Sequence, residues 1–371
     1  MNNLQLLHNK YNQSPWLDNI SRDLLQNGGL KKYLDEGIRG VTSNPTILEN
    51  AIKNSSLYDE QIRELASHGA STEDIYWRIV MDDIKAAAKM LRPLYDESGG
   101  EDGYISLEVS PLLAHDRVGT INQARWIWEE INEPNLMIKV PATNECIPAV
   151  YDLLKDGINV NVTLIFSLDH YNQVAQAHLA AHKDSDTSAR SVASFFISRV
   201  DTKIDERLHK INTPEALKLT GKSAVAQARI AYDIFLKHSA EIATLEPYSP
   251  AIQRLLWAST STKNPDYNDL LYVTGLLAPF TVNTLPEATI EKILDHLPTD
   301  APSLSMHEIE EAKITYGELA NVGIDRSAIA RELAEEGVSS FEASFASLMS
   351  SIEEKVRSHY QNLLSLIRFL L

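Results

Sequence analysis

Short apolar segments alternate with longer segments of helical periodicity along most of the chain. The helical patterns, such as those over 121–131, 147–155 and 224–238, separate segments with the length and composition of β-strands. This alternation indicates parallel strands joined by right-handed crossovers, and eight such units close a (β/α)8 barrel. The predicted strands are 16–21, 38–43, 104–109, 136–140, 159–166, 192–197, 255–259 and 280–283.

The pattern predicts one α/β domain over residues 1–371, a TIM barrel with extra helices. The barrel should occupy about 14–300, with long helical insertions over 56–95 and 200–242. A C-terminal helical extension over about 301–371 should pack on it. A doubly wound open sheet is the alternative, but no glycine-rich phosphate loop follows an early strand.

Polar residues on the predicted strands share one face. Because side chains alternate between the two faces of a strand, apolar Leu136, Ile138 and Val140 leave Lys139 on the opposite face. On the third strand, apolar Ile105, Leu107 and Val109 leave Glu108 on the opposite face in the same way. Other strands place further polar side chains inside the barrel, namely Asp18, Thr42, Asn161, Thr163 and Ser194. Their convergence predicts a functional site.

Lys139 lies in the middle of an apolar run bounded by Pro134 and Pro141. A buried ammonium without a partner is costly, so such a lysine tends to be a neutral amine. A neutral amine is a nucleophile that forms Schiff bases with carbonyl substrates. The alternatives are a lysine that extends to solvent and one paired with a carboxylate. The polar residues on the neighbouring strands favour the Schiff base.

Composition narrows the classes of function. The net charge of −17 argues against a nucleic-acid surface, and Cys146 is the single cysteine, which excludes an intramolecular disulfide framework. We expect no secretory signal, no membrane span and a cytoplasmic location. The histidines lack the spacing of motifs such as HExxH, so a metal site is not expected. The apolar stretch 363–371 suits packing on the barrel or on a partner chain, which leaves a homodimer open.

Several segments together carry a family resemblance. The chain resembles the transaldolases, class I Schiff-base enzymes of the pentose phosphate pathway, in the variety with longer chains. The resemblance extends from about residue 16 to the C-terminal helices. Its motifs are 16–21 (WLDNIS), 41–46 (VTSNPT), 138–143 (IKVPAT), 159–167 (NVNVTLIFS) and 193–201 (ASFFISRVD).

The resemblance implies a role for each candidate catalytic residue. Lys139 matches the Schiff-base lysine. Glu108 matches an acid that, with the hydroxyl of Thr163, holds a water for proton transfer during imine formation and hydrolysis. Asp18 matches the base that takes the proton of the C4 hydroxyl. From the residues alone, Glu108 could equally be an ion-pair partner, and Asp18 could be a helix cap.

The resemblance also implies the substrate contacts. Asn44, Asn161 and Ser194 match residues that hold the dihydroxyacetone part of the substrate, although turn chemistry before Pro45 would also explain Asn44. Phe196 is expected to be a wall of the pocket or a residue of the interior packing.

Phosphate binding is where this sequence departs from the family pattern. Arg199 follows the sixth strand as expected, and Lys263 stands after the seventh strand, where many family members carry arginine. Lysine binds phosphate as a point charge without the bidentate fork of arginine. Ser259 and neighbouring hydroxyls are expected to share this task. The alternative for Lys263 is a solvated loop charge.

The resemblance implies a transferase without a cofactor that acts on sugar phosphates. It would move a dihydroxyacetone unit from sedoheptulose 7-phosphate or fructose 6-phosphate to glyceraldehyde 3-phosphate or erythrose 4-phosphate. The alternative is a fructose-6-phosphate aldolase-like enzyme that releases dihydroxyacetone. Those relatives have shorter chains and glutamine in place of Glu108. A non-enzymatic binding barrel would have no reason to place Lys139, Glu108 and Asp18 in its interior.

Overall fold

Eight parallel strands form a closed barrel. The structure is a computed structural model that describes the backbone of residues 1–245 and 252–370, with the side chains of these residues except 359, 360 and 362–370. Each strand pairs with the next along the chain and the last pairs with the first, which confirms the predicted (β/α)8 barrel and excludes the open sheet. The strands are β1 (Gln13–Leu17), β2 (Gly40–Val41), β3 (Tyr104–Glu108), β4 (Leu136–Pro141), β5 (Val160–Ile165), β6 (Ser191–Phe196), β7 (Gln253–Ala258) and β8 (Thr281–Leu285).

Helices surround the barrel and include the predicted insertions after the second and sixth strands. In residues 1–245 they are α1 (Asn3–Tyr11), α2 (Arg22–Gln26), α3 (Gly29–Glu36), α4 (Pro45–Lys53), α5 (Asp59–Ser67), α6 (Thr72–Glu97), α7 (Arg117–Ile131), α8 (Ile147–Lys155), α9 (Leu168–Asp184), α10 (Ser198–Ile211), α11 (Pro214–Leu217) and α12 (Ser223–Leu245). In residues 252–370 they are α13 (Leu271–Thr274), α14 (Glu287–His296), α15 (Met306–Asn321) and α16 (Arg326–Leu370).

The first strand differs most from its predicted position. The predicted strand 16–21 is wrong by about three residues, because β1 pairs with β8 from Gln13 to Leu17 and the chain then leaves the sheet. Ser21 accepts a hydrogen bond from Leu24 N and starts α2, so the second half of the predicted strand is a turn and a helix cap. As a result, Asp18 immediately follows the end of β1, at the rim where the sites of such barrels lie.

Hydrogen bonds across the barrel confirm the predicted inward face of three strands. Asn161 on β5 donates to Ser106 Oγ on β3 at 3.0 Å, and Ser194 Oγ on β6 donates to Asn161 Oδ1 at 2.7 Å. All three side chains are at most 2% exposed. The alternation breaks near the end of β5, where the pairing with β6 shifts and Leu164 has a φ of +60°. Such irregularities redirect side chains and are common beside active sites.

The barrel end opposite the site is closed by a buried charge network. Asp102, 2% exposed, accepts hydrogen bonds from Arg39 Nε at 2.5 Å, from Arg254 Nη1 at 3.1 Å and from Ser14 Oγ at 2.9 Å. Burial alone would raise the pKa of Asp102, but Arg254 and Arg39 outweigh it and lower that pKa. The network links β1, β7 and the segments before β2 and β3.

The C-terminal helices pack on the barrel, as predicted. Side chains of α16 reach both α4 and α10: Ser347 Oγ donates to Glu49 on α4, and Lys203 on α10 pairs with Glu332 at 3.0 Å. The side chains of the apolar stretch 363–371 lie outside the described residues. None of the described helices combines the length and apolarity needed to cross a membrane. The single domain over 1–371 stays a prediction.

Candidate active site

A cavity of about 240 Å³ opens at the carboxyl ends of the barrel strands. Strand ends and the loops that follow them supply most of its lining, as in other barrels of this architecture. Nine of the eleven candidate residues line it: Asp18, Asn44, Lys139, Thr163, Ser194, Phe196, Arg199, Ser259 and Lys263. The other two, Glu108 and Asn161, are buried beside them and contact lining residues. The structure therefore brings the whole predicted set together.

Lys139 is 6% exposed and points from β4 into the cavity. Its Nζ donates a hydrogen bond to the Ser43 carbonyl at 3.0 Å and lies 3.3 Å from Glu108 Oε1. Of the sequence alternatives, an extension to solvent is wrong, and pairing with a carboxylate is correct. Pairing and nucleophilic function are compatible, because an adjacent base activates a nucleophile by accepting its proton.

Glu108 is 8% exposed and lies at the end of β3, next to Lys139 in the pairing of β3 with β4. Burial raises the pKa of the Glu108 carboxyl, although the neighbouring Lys139 charge opposes this shift. Within the described part of the chain, neither carboxyl oxygen nor Thr163 Oγ1 has a well-aligned hydrogen-bond partner. Glu108 and Thr163 together line a second, small cavity of about 20 Å³. That volume accommodates about one water molecule.

Asp18 directly follows β1, which is separated from β3 by the single strand β2. Its Oδ1 accepts a hydrogen bond from Thr42 Oγ1 at 2.9 Å, and Thr42 Oγ1 lies 2.6 Å from Thr284 Oγ1. Burial raises the pKa of Asp18, while Lys139 and the Thr42 hydrogen bond work in the opposite direction. The helix-cap alternative for Asp18 is wrong, since Ser21 caps α2. The carboxyl therefore has one oxygen held by a hydroxyl while its side chain faces the cavity.

Asn44 has a structural role that the sequence also indicated. Its Oδ1 accepts a hydrogen bond from Ile47 N at 3.0 Å and caps α4, whose first residue is Pro45. The cap holds the side chain at the edge of the cavity. The local role of Asn44 is therefore that of a helix N-cap, and its side chain also lines the cavity. Its contact with substrate stays a prediction.

Two cations lie at the outer end of the cavity. Arg199 follows β6 and lies over the Phe196 ring, with Cζ 5.5 Å from its centroid. Burial lowers the pKa of Arg199, a desolvation effect that an anionic ligand would offset. Lys263 is exposed and donates to Ser261 Oγ at 2.6 Å. Ser259, with a φ of +57°, places its Oγ 2.8 Å from Ser198 Oγ.

Several cavity residues were not singled out by the sequence. Strand parity placed Thr42 inside the barrel but gave it no role, and no motif marked the Ser43 carbonyl as a partner of Lys139. Phe341 on α16 lines both cavities and comes from a helix far from the barrel motifs. Only long-range packing brings it there, so no local signal in the sequence could have identified it. In the described residues no group of three or more His, Cys, Asp or Glu side chains is arranged to hold a metal ion.

Comparison with known proteins gives one consistent result. A family model described as Transaldolase/Fructose-6-phosphate aldolase matches residues 15–352. The chain is 42% identical over 356 residues to a protein named transaldolase from Mycobacterium tuberculosis strain H37Rv, with 93% of this chain and 94% of the relative covered. It is 43% identical to the proteins named transaldolase from Mycobacterium marinum and Frankia alni, with 92% of this chain and 94% of each relative covered.

Proposed function

The chain belongs to the transaldolase/fructose-6-phosphate aldolase family, and we propose that it transfers a dihydroxyacetone unit from a ketose phosphate to an aldose phosphate. Relatives named transaldolase, with which it aligns over more than nine-tenths of its length, support transferase activity. The observation that carries the proposed mechanism is the 3.3 Å approach of Lys139 Nζ to Glu108 Oε1 inside the barrel. The proposed donors are sedoheptulose 7-phosphate and fructose 6-phosphate. The proposed acceptors are glyceraldehyde 3-phosphate and erythrose 4-phosphate of the non-oxidative pentose phosphate pathway.

The first step is formation of an imine on Lys139. The raised pKa of Glu108 makes this carboxylate a stronger base, so it accepts a proton from the neighbouring ammonium more readily than an exposed glutamate would. The resulting amine attacks C2 of the ketose. Glu108 then returns a proton, through a water shared with Thr163, to the departing hydroxyl of the carbinolamine, which leaves as water. The small cavity between Glu108 and Thr163 is the expected position of that relay water.

The second step is cleavage of the C3–C4 bond. Asp18 takes the proton of the C4 hydroxyl, the C4–O bond becomes a carbonyl, and the electron pair of the C3–C4 bond moves into the imine. An aldose phosphate leaves and a three-carbon enamine stays on Lys139. The hydrogen bond from Thr42 fixes one Asp18 oxygen and leaves the other for the substrate.

The remaining steps reverse this chemistry on a second substrate. The enamine carbon attacks the aldehyde of the acceptor, Asp18 returns the proton to the new hydroxyl, and water releases the new ketose from Lys139. Asn44, Asn161 and Ser194 are proposed to hold the three-carbon unit, and Arg199 with Lys263 the phosphate. Because the enzyme holds half of the donor covalently between the two substrates, ping-pong kinetics is expected.

Reductive trapping tests the central residue. With fructose 6-phosphate and borohydride, we expect a dihydroxyacetone-derived mass on the peptide that contains Lys139, found by mass spectrometry. Lys139→Met keeps the length of the side chain and removes the amine, so it should fold but take no label and show negligible turnover. Lys222→Ala, at an exposed lysine, is the matched control and should label normally. Label on any other lysine would contradict the assignment.

A second assay separates transfer from simple aldol cleavage. The reaction of fructose 6-phosphate is followed with and without erythrose 4-phosphate. A transaldolase produces sedoheptulose 7-phosphate with the acceptor and little free dihydroxyacetone without it. Equal release of dihydroxyacetone under both conditions would favour the aldolase alternative. Assembly as a homodimer and a cytoplasmic location stay predictions, to be tested by light scattering and by cell fractionation.

A further inference from the structure

Phe341 is a wall of both cavities of the site. It lines the larger cavity together with Lys139, and it also lines the small cavity together with Glu108 and Thr163. Its side chain is 7% exposed, so the ring is almost fully packed against its neighbours. The residue therefore lies beside the space where the imine forms and also beside the space proposed for the relay water.

The helix that carries Phe341 is held on both sides of the barrel opening. On the N-terminal side of Phe341, Glu332 pairs with Lys203 and with Arg207 Nη2, each at 3.0 Å. On the C-terminal side, Ser344 Oγ lies 2.8 Å from Thr46 Oγ1, next to Asn44 in the site. These contacts hold α16 on both sides of Phe341, so the Phe341 ring forms a fixed part of the cavity wall.

The helix also approaches the strand ends closely. At Gly337, one turn before Phe341, an added Cβ would lie 3.0 Å from Leu164 Cδ2. Leu164 is the residue of positive φ at the irregular end of β5, directly after Thr163. Glycine is costly inside a helix, and its presence here permits the close packing of α16 on β5. This close packing brings Phe341 next to Thr163 and Glu108.

We propose that Phe341 determines how the three-carbon intermediate divides between transfer to an aldose phosphate and release to water; this inference rests on the proposed function. In transfer, the enamine carbon forms a bond to the acceptor aldehyde. In release, that carbon takes up a proton, water adds to C2 of the resulting iminium, and the C–N bond breaks to give dihydroxyacetone and the free amine of Lys139. Release therefore begins with a proton supplied to that carbon from solvent, whereas hydrolysis of the imine ends both routes and takes up the water that imine formation set free.

The ring favours transfer because it limits the water that can reach the enamine and deliver the proton with which release begins. The small cavity lined by Glu108 and Thr163 has room for about one water, and Phe341 is part of its wall. Closed sites protect reactive intermediates from hydrolysis by excluding further water. Truncation of the ring would enlarge both cavities, since it lines each of them, and would admit additional water beside the enamine.

The test measures the ratio of two rates in the full-length protein. Dihydroxyacetone release from fructose 6-phosphate without acceptor is divided by formation of sedoheptulose 7-phosphate with erythrose 4-phosphate. For Phe341→Ala we expect this ratio to rise about tenfold, because water is no longer excluded. Phe345→Ala is the matched control, since this residue is 5% exposed on the same helix and its ring packs 5.2 Å from that of Tyr76. Its ratio should stay at the wild-type value.

The ratios measured in the Phe341 and Phe345 variants either support or overturn the proposed role of Phe341. An unchanged ratio in Phe341→Ala, or an equal rise in Phe345→Ala, would overturn it, the latter because the effect would then belong to the packing of α16 in general. If either alanine variant fails to fold, the Phe341→Leu and Phe345→Leu pair replaces it, and a rise confined to Phe341→Leu is required. Failure of the proposed function is separate, because the wild-type protein would then show no transfer to erythrose 4-phosphate.

Discussion

Among single residues, the two carboxyls of the site, Glu108 and Asp18, differ in their neighbours and therefore in the steps they suit. Glu108 lies 3.3 Å from the Lys139 amine, whereas Asp18 is held by the Thr42 hydroxyl. Burial raises the pKa of both. A base or acid must reach the proton that it moves, so the neighbours of each carboxyl determine its role. We assign the chemistry of the imine to Glu108 and the cleavage of the C–C bond to Asp18.

Replacing Asp18 by Ala should let the imine form and then prevent cleavage. Loss of a positioned general base costs about 10²–10⁴-fold in rate, so the uncleaved imine should accumulate. After treatment with fructose 6-phosphate and borohydride, mass spectrometry should find the whole six-carbon sugar phosphate on Lys139. In the wild-type protein the three-carbon fragment should dominate.

Glu108→Gln is the matched control for this experiment. It removes the acid near the amine, so any adduct should appear more slowly, without accumulation of the six-carbon form. Appearance of the three-carbon adduct at the wild-type rate in Asp18→Ala would show that Asp18 is structural and that another group is the base.

The hydrogen bond from Thr42 to Asp18 should be visible in the pH dependence of cleavage. Asp18 must be ionised to accept a proton, so cleavage is lost as the pH falls through its raised pKa. The Thr42 hydrogen bond stabilises the ionised form and lowers that pKa. Thr42→Val should raise the pKa further and move the acidic limb of single-turnover cleavage to higher pH. Thr46→Val, at another cavity threonine, should leave the limb in place, and an unmoved limb in Thr42→Val would refute the interaction.

At the scale of elements, the loops after β6 and β7 should act as a phosphate clamp. Lys263 on the second loop is exposed, so it can reach a ligand at the rim without a desolvation cost. Lys263→Ala should weaken binding of phosphorylated sugars by about tenfold to a hundredfold, the effect of losing a charge-assisted hydrogen bond worth about 1.5–3 kcal/mol. The change should appear in the KM values of both sugar phosphates.

Two controls show whether the change in KM comes from the contact between Lys263 and the phosphate group. Dihydroxyacetone as donor carries no phosphate, so the Lys263→Ala protein should use it as well as the wild-type protein does. Lys222→Ala removes an exposed lysine outside the site and should leave the KM values unchanged. If Lys263→Ala also leaves them unchanged, Lys263 is a solvated loop charge and Arg199 carries the phosphate alone.

At the scale of the whole molecule, buried histidines between α9 and α12 should make stability depend on pH. His238, 5% exposed, lies with its Nε2 3.3 Å from His178 Nδ1. Burial lowers the pKa of His238 to about 4. The unfolded chain therefore binds this proton at a higher pH than the folded protein does. Stability should fall as the pH falls from about 6.5 to about 4, with no further contribution from His238 below that range.

The size of this effect follows from the shift in pKa. Between about pH 7.5 and about pH 5 the contribution should be about 2 kcal/mol, at about 1.4 kcal/mol for each pKa unit. Urea unfolding at the two pH values should show that loss in the wild-type protein and a smaller loss in His238→Gln, whose side chain does not titrate. His307→Gln, at an exposed histidine, is the control. Equal losses in wild type and His238→Gln would contradict the prediction.

The architecture and the residues of the candidate site could largely be predicted from the sequence. Alternation of apolar and polar positions is a local property, and it separates strands from helices and inward from outward faces. For that reason the barrel, the inward placement of Lys139 and Glu108, and the cluster of polar strand residues were all predictable. The limits of β1 were not, because Trp16 to Ser21 has a strand-like pattern while pairing with β8 ends at Leu17. Where the strand ends depends on its pairing with β8, which is distant in sequence, and a local pattern does not show this.

The partners of these residues could not be predicted, because they follow from the way the chain packs in three dimensions. Segments far apart in the chain meet at three places in the site. These are the hydrogen bond from Lys139 to the Ser43 carbonyl, the hydrogen bond from Thr42 to Asp18, and the small cavity lined by Glu108 and Thr163. Phe341 reaches the site because salt bridges and close helix packing hold α16 over the barrel. Such contacts depend on how whole elements pack in space, and the periodicity of any one segment carries no information about them.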